Sequence, residues 1–142
     1  GITIAYASVY GHLKAAVEEL ASALEARGQK VSVFDLARDD MAEAVEDAFR
    51  YDRLVLASIT YQGEIFPFMS TFIHTLAEHA YQNRTVALVE AGSWAPAAAK
   101  VMTKELEGMK DITLTQNKVT VLGSLNDASR AQIEALADEL SK

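Results

Sequence analysis

The residues best suited to chemistry in this sequence lie near its start, in a short loop around Gly11 that follows an apolar run. Ser8 offers a hydroxyl group, and Gly11 lets the backbone approach an anion closely. The residues after Gly11 read as a helix, whose first backbone N–H groups lack partners within the helix and attract phosphate. The loop has neither the Gly-Lys-Ser/Thr ending of nucleoside-triphosphate loops nor the spaced glycines of dinucleotide loops. It therefore indicates either a phosphate site of another kind or an ordinary tight turn.

Two later loops carry aromatic side chains that suit a planar ligand. Tyr61 lies in the loop 58–66, and Trp94, the only Trp of the chain, lies in the loop 90–95. If both rings face one planar ring system, aromatic stacking contributes about 0.5–1.5 kcal/mol per pair beyond burial. The competing interpretation is that both rings cover the open end of the core. Taken with the first loop, the pair favours a ligand.

These loops need a scaffold, and the apolar pattern predicts one. Five strand-like runs alternate with five helical segments, which indicates an α/β fold with a parallel sheet covered by helices on both faces. Strand order 2-1-3-4-5 is the common order at this length. In such sheets ligands bind beyond the carboxyl ends of the strands, where the three loops emerge. The predicted strands are 2–6, 31–34, 54–57, 86–89 and 112–122, the last interrupted near Gln116 and Asn117.

Single residues predict several helix boundaries. Gly28 ends the first helix, because glycine accepts the left-handed conformation found after helix ends. Asp40 followed by Glu43 resembles a capping box. Asn126 or Asp127 caps the last helix. The helix with Pro67 in its first turn is predicted to bury Phe68, Phe72, Ile73 and Leu76.

Composition narrows the class of protein. The 142 residues, half of them hydrophobic, predict a single domain spanning 1–142. The net charge of −7 argues against a nucleic-acid partner, which needs Lys and Arg. The absence of Cys excludes disulfides, thiolate metal sites and iron–sulfur clusters. With no bilayer-spanning run and no leader, we expect a cytoplasmic protein without membrane contact, either a whole chain or a domain of a longer one.

Three other features point to less specific roles. A receiver domain shares this topology but needs carboxylates after the first and third strands, where this chain has Ala7-Ser8 and Ala57-Ser58. His74 and Glu78 have a spacing compatible with metal binding, but two ligands make a poor site, so we predict a solvated helix face.

A concentration of acidic residues follows the second strand. It is predicted to be a solvated face with favourable charge at a helix start, with a docking patch as the alternative. It comprises Asp35, Asp39, Asp40, Glu43, Glu46 and Asp47.

In their order and spacing, three segments resemble the flavodoxin family over nearly the whole chain. "YASVYG" is similar to that family's Ser-x-Tyr-Gly phosphate loop, and "SITYQGEIFPFM" to its Ser-Pro-Thr-Tyr-Asn segment. "NRTVALVEAGSWAPAAAKVM" resembles the clostridial type of the flavodoxin-like domain at the C-terminus of flavodiiron proteins, also called A-type flavoproteins. The resemblance implies a flavodoxin-like doubly wound three-layer sandwich with a five-stranded parallel sheet.

The resemblance also implies that the chain binds FMN and carries electrons. Around the phosphate it places Ser8, Val9, Tyr10, Gly11, His12 and Leu13. Along the isoalloxazine it places Ile59, Thr60, Tyr61, Gln62 and Gly63 on one side and Ala91, Gly92, Ser93 and Trp94 on the other. Glu64 and Glu90 are acidic residues close enough in sequence to lower the potential of such a flavin.

In a complete flavodiiron protein the flavin passes electrons to a diiron centre in a preceding metallo-β-lactamase-like domain, which reduces O2 or NO. Three His residues cannot build that centre here. The resemblance thus implies a redox module, part of an oxidoreductase but not a complete catalyst. Its expected partner is a redox protein or a diiron domain, in cis if the chain was excised. As an isolated domain we expect a monomer or weak dimer.

The chain departs from the family pattern in the phosphate loop. His12 and Leu13 replace Asn and Thr, and loss of a hydrogen bond to a charged group costs about 1.5–3 kcal/mol. A protonated His12 can partly compensate by donating an N–H to phosphate. Ile59 also replaces Pro, and Gln62 replaces Asn. We therefore predict weaker, pH-sensitive FMN binding.

Two other functions stay open from the sequence. One is a free-standing FMN-dependent NAD(P)H or quinone reductase, which needs a second pocket that no motif indicates. The other is an interaction module that kept the fold and lost the flavin, which the altered phosphate loop keeps open.

Overall fold

A mostly parallel β-sheet forms the centre of the molecule, whose computed structural model describes residues 1–8, 11–61, 64–92 and 96–142, with backbone alone at Tyr61 and Glu64. The strand order is β2-β1-β3-β5-β6, with β7 also paired to β5 and the short β4 antiparallel to β3. Counting β6 and β7 as one interrupted strand, this confirms the predicted order 2-1-3-4-5. Within the described residues the strands are β1 (Ile2–Ala7), β2 (Val31–Asp35), β3 (Arg53–Tyr61), β4 (Glu64–Ile65), β5 (Arg84–Gly92), β6 (Ile112–Leu114) and β7 (Val119–Leu122).

Helices cover both faces of the sheet. α1 (Gly11–Ala26) and α5 (Asp127–Leu140) pack on one face, and α2 (Met41–Arg50), α3 (Pro67–Glu78) and α4 (Ala98–Leu106) pack on the other. Successive residues of the central strands alternate between the two cores, so Val55 faces α1 while Leu56 faces α3. The continuous hydrophobicity of these strands follows from burial on both faces.

The predicted interruption of the last strand is confirmed. β6 pairs with residues 84–86 of β5, and β7 pairs with residues 89–92. Between them the backbone N–H groups of Gln116 and Asn117 both donate to the Glu139 carboxylate of α5, each at 2.9 Å. Burial raises the pKa of Glu139, but these hydrogen bonds outweigh it, and the net effect is a lowered pKa. Glu139 thus satisfies donors that the sheet leaves unpaired.

Helix ends follow the sequence with one difference. Gly28 adopts φ +82° just after α1, and Asn126 caps α5 through a reciprocal bond pair with Ser129. Asp40 caps α2 as predicted, but its Oδ1 accepts from Ala42 N at 2.9 Å instead of from Glu43 N. A capping bond to the second helical N–H serves the same orphan donors.

Two predictions about burial were wrong. Phe68 is 42% exposed, whereas the neighbouring Met69 lies in the core. The core stripe of α3 runs through Met69, Phe72 and Leu76, and Phe68 lies one position off it. In the acidic concentration, Asp47 is not solvated. It is 7% exposed and accepts a 2.6 Å hydrogen bond from Thr3 Oγ1 of β1.

Candidate functional site

The three predicted ligand loops leave neighbouring strands of the sheet at the same edge. Ala7 of β1 pairs with Ser58 of β3, and Ile59 of β3 pairs with Ala91 of β5. The loops after β1, β3 and β5 therefore emerge side by side at the carboxyl ends of the strands. The sequence expectation that these loops share one edge follows directly from the parallel register.

The first loop delivers the chain into the N-terminus of α1. Gly11 and His12 are exposed, and the first turn of α1 contains no acidic residue. A Cβ built on Gly11 would meet no described atom within 4 Å, so packing does not require glycine there. Leu13 is 1% exposed and lies in the core below α1, so only its backbone can face this loop. An exposed helix N-terminus with no described atom crowding Gly11 suits an anion.

The second loop is a hairpin, which the sequence analysis missed. Thr60 pairs with Ile65, and Tyr61 pairs with Glu64, in antiparallel register. Below the hairpin the buried Ser58 Oγ accepts from Phe66 N at 3.2 Å and closes the base. The sequence signal is weak, because the usual two-residue hairpin turns are Asn-Gly or Asp-Gly and this chain has Gln-Gly at these positions.

The third loop leaves β5 at Gly92 and returns at Pro96. Gly92 O accepts from Gly123 N at 3.1 Å, which holds the end of β5. A Cβ at Gly92 would lie 3.1 Å from Pro96 Cβ, so glycine permits a close approach of the two ends of the loop. Thr60 Oγ1 accepts from Ala97 N at 2.8 Å and thereby connects the second loop to the third.

Glu90 is a buried carboxylate at this edge, 4% exposed. Its Oε1 accepts from Ala99 N at 2.9 Å and its Oε2 from Thr120 Oγ1 at 2.8 Å. Lys118 Nζ lies 3.7 Å from the same Oε2. The carboxylate is thus directed at the start of α4. The signal in the sequence was a charged residue inside an apolar strand, whose partners cannot be read from that strand.

Two other titratable groups, Tyr6 and His74, have carboxylate neighbours. Burial, the charge of Asp35 and a 3.4 Å hydrogen bond to it raise the pKa of Tyr6 on β1. His74 is largely exposed, and its Nε2 lies 3.9 Å from Glu105 Oε1. Among the described residues, no three His, Asp or Glu side chains are grouped to hold a metal ion.

The structure brings part of the predicted cofactor site together. Ser8, Gly11, His12, Leu13, Ile59, Thr60, Ala91 and Gly92 all lie at or beside this edge, as does the backbone of Tyr61. The remaining predicted residues fall outside the described ranges: Val9, Tyr10, Gln62, Gly63, Ser93 and Trp94.

Comparison with known proteins agrees with this architecture. A family model described as a flavodoxin domain matches residues 3–129. No curated protein sequence matches the chain significantly. No helix in the described ranges is long and apolar enough to cross a membrane.

Solved structures share the fold at low sequence identity. Rubredoxin oxygen:oxidoreductase from Desulfovibrio gigas superposes with a TM-score of 0.91 at 17% identity, over 99% of this chain and 35% of that one. A flavo-diiron protein mutant from Thermotoga maritima superposes with a TM-score of 0.83 at 22% sequence identity, over 98% of this chain and 34% of that one. Oxidised flavodoxin 1 from Bacillus cereus superposes with a TM-score of 0.83 at 15% sequence identity, over 97% of this chain and 95% of that one. The chain therefore spans about a third of the two larger proteins and nearly all of the smaller one.

Proposed function

Because this chain belongs to the flavodoxin family, we propose that it is an FMN-binding electron-transfer domain. The observation that carries the proposal is the edge where β1, β3 and β5 end together, beside the N-terminus of α1. A parallel α/β sheet binds its ligand at such an edge.

The described residues fit a bound phosphate. The start of α1 offers backbone N–H groups, carries no acidic side chain, and has open space at Gly11. We assign the phosphate to the loop from Ser8 to Leu13, with His12 as an exposed donor at its rim. The ring system is assigned to the second and third loops, which carry Tyr61 and Trp94. When bound, FMN would supply the redox chemistry, and the chain would bind and orient it.

We further propose that the electrons go to a diiron domain, in cis in a longer protein. Support comes from the two larger fold relatives, one named a rubredoxin oxygen:oxidoreductase and the other a flavo-diiron protein. In each, a region of about this chain's length carries the shared fold. An acidic carrier with a net charge of −7 would be steered to a basic surface on its partner. The cytoplasmic location expected from the sequence stays a prediction.

Titration of the ligand-free protein with FMN and with riboflavin tests the assignment. We expect quenching of flavin fluorescence and FMN affinity at least about tenfold higher than riboflavin affinity, because riboflavin lacks the phosphate. Failure to take up FMN would reject the proposal. Equal affinities would reject the phosphate assignment. Bleaching of the loaded protein by NADH would instead support the reductase alternative.

A matched pair of glycine variants localises the phosphate. Gly11 and Gly108 both have ordinary φ values, and a Cβ added at either would meet no described atom within 4 Å, so alanine fits the protein at both sites. Gly11→Ala is expected to weaken FMN binding about tenfold, because its methyl group occupies the space given to the phosphate. Gly108→Ala is the control and should bind as the wild type does. Equal FMN affinity in both variants would contradict the location.

A further inference from the structure

In the structure β5 extends to Gly92, so the third loop is the segment 93–96, and contacts of described residues hold both of its ends. At its start, Gly92 O accepts from Gly123 N at 3.1 Å. At its end, Pro96 comes so close to Gly92 that an added Cβ would lie 3.1 Å from Pro96 Cβ. The two described ends of the loop therefore lie close together. Their positions depend on what holds β5 and on what holds the helix that follows.

That helix, α4, has no cap of its own. Its N-cap residue is Ala97, which has no side-chain acceptor and is among the least favourable residues there. Two side chains from elsewhere take over the capping. Thr60 Oγ1 accepts from Ala97 N at 2.8 Å, and Glu90 Oε1 accepts from Ala99 N at 2.9 Å. A carboxylate at this position also complements the positive end of the helix dipole.

The other oxygen of Glu90 connects the helix to the edge of the sheet. Oε2 accepts from Thr120 Oγ1 of β7 at 2.8 Å, and Lys118 Nζ lies 3.7 Å away. A carboxylate that is only 4% exposed is stable when such donors replace water. Glu90 therefore holds three elements together: its own strand β5, the edge strand β7 and the first turn of α4.

We propose that Glu90 is a positioning residue for the flavin site. It joins the strand that precedes the third loop to the helix that follows the loop, and so holds the two ends of the loop, at Gly92 and Pro96, in place. The proposal rests on the proposed function for the identity of the ligand. Glu90 acts through the loop, since both of its oxygens are directed at protein donors.

Asp47 provides a matched control in the same chain. It is 7% exposed, accepts from Thr3 Oγ1 at 2.6 Å and has Arg50 Nη1 3.6 Å from Oδ1. Its burial, its threonine donor and its basic neighbour thus parallel those of Glu90. Thr3, however, lies near the amino end of β1, away from the three ligand loops.

The experiment compares Glu90→Gln with Asp47→Asn in two readouts. The first is the emission and acrylamide quenching of Trp94, the single Trp, in ligand-free protein. The second is FMN affinity by titration. We expect both variants to lower the melting temperature. Only Glu90→Gln should change the Trp94 signal and weaken FMN binding, by about tenfold, with Asp47→Asn within about twofold of wild type.

A second pair keeps the test decisive if Glu90→Gln does not fold. Thr120→Val and Thr3→Val each remove one hydroxyl donor from one of the two carboxylates. Thr120→Val should change the Trp94 signal in the same direction as Glu90→Gln, and Thr3→Val should leave it unchanged.

Indistinguishable Trp94 signals within both pairs would overturn the positioning role, because they would reduce Glu90 to a stabilising residue like Asp47. Failure of the wild type to bind FMN would overturn the proposed function. The Trp94 comparison would then still decide whether Glu90 fixes the loop.

Discussion

Helices α1 and α4 both begin at the carboxyl edge of the sheet, but only α4 has a carboxylate at its start. The first turn of α4 donates to Glu90, a residue of the preceding strand. The first turn of α1 contains no acidic residue, and its Gly11 and His12 are exposed. At the same edge, α3 begins with Pro67, which removes one N–H donor altogether. Among the described residues, the chain thus places a carboxylate at the start of α4 and none at the start of α1.

This difference is the reason for proposing α1, and not α4, as the helix that receives an external anion. Elsewhere in the described residues, side-chain oxygens of this chain serve backbone donors that secondary structure leaves unpaired. Asp40 caps α2, Asn126 caps α5, and Glu139 binds the strand interruption. Against this pattern the acid-free start of α1 supports the proposed phosphate site.

The largest effect is expected when α1 is made to resemble α4. His12→Glu places a carboxylate in the first turn of α1, where it would repel the phosphate by about 1–4 kcal/mol at contact distance. We expect FMN binding about 100-fold weaker than in the neutral reference His12→Gln.

Ser22→Glu is the control for that change. It adds the same charge to an exposed position of the same helix, ten residues and about 15 Å further on. Titration with FMN should leave this variant within about threefold of wild type. Similar losses in Ser22→Glu and His12→Glu would mean that net charge, and not the start of α1, controls binding.

A smaller effect is expected from the pH sensitivity that the sequence predicts for FMN binding. Histidine is the side chain type that acts as a switch near neutral pH, and a cationic donor binds an anion more strongly than a neutral donor. The FMN phosphate itself loses charge toward pH 6, so the wild type must be compared with His12→Gln at pH 8 and pH 6. The ratio of Kd at pH 8 to Kd at pH 6 should be about fivefold larger in the wild type. Equal ratios would show that His12 does not contact the phosphate.

Local sequence determined much of the scaffold. Strands β1 and β3 are buried on both faces, and their continuous apolar runs show it directly. Gly28 and Asn126 mark helix ends because the conformations and bonds found there involve only near neighbours. The shared edge of the three loops follows from parallel pairing alone. Features that depend only on neighbouring residues or on parallel strand pairing could therefore be predicted from the sequence.

Long-range partners decided what the sequence could not show. Glu90 bonds to Thr120, thirty positions away, and Asp47 bonds to Thr3, forty-four positions away. Nothing next to either carboxylate in the chain predicts these donors. Asp47 was therefore predicted to lie on a solvated face, and Glu90 was considered only for its effect on the potential of a flavin. Phe68 was misplaced for a local reason, since the core stripe of α3 begins at Met69 and Phe68 lies one position before it.

The smallest effect concerns Glu139 on α5, a carboxylate that, unlike the proposed phosphate at α1, belongs to the chain itself. Its removal is expected to change the stability of the protein. Hydrogen bonds to Gln116 and Asn117 lower the pKa of Glu139 in the folded state, so its contribution is present above the unfolded pKa and is lost as pH falls through the folded pKa. Glu139→Gln should therefore reduce the free energy of unfolding by about 1 kcal/mol at pH 7, with a smaller difference at pH 3. Urea unfolding at pH 7 and pH 3 measures this difference. The control is Glu134→Gln, which removes a surface ion pair of the same helix and should change the free energy of unfolding by about 0.5 kcal/mol or less. A difference that does not shrink at pH 3 would show that packing, and not charge, is what Glu139 contributes to the strand interruption.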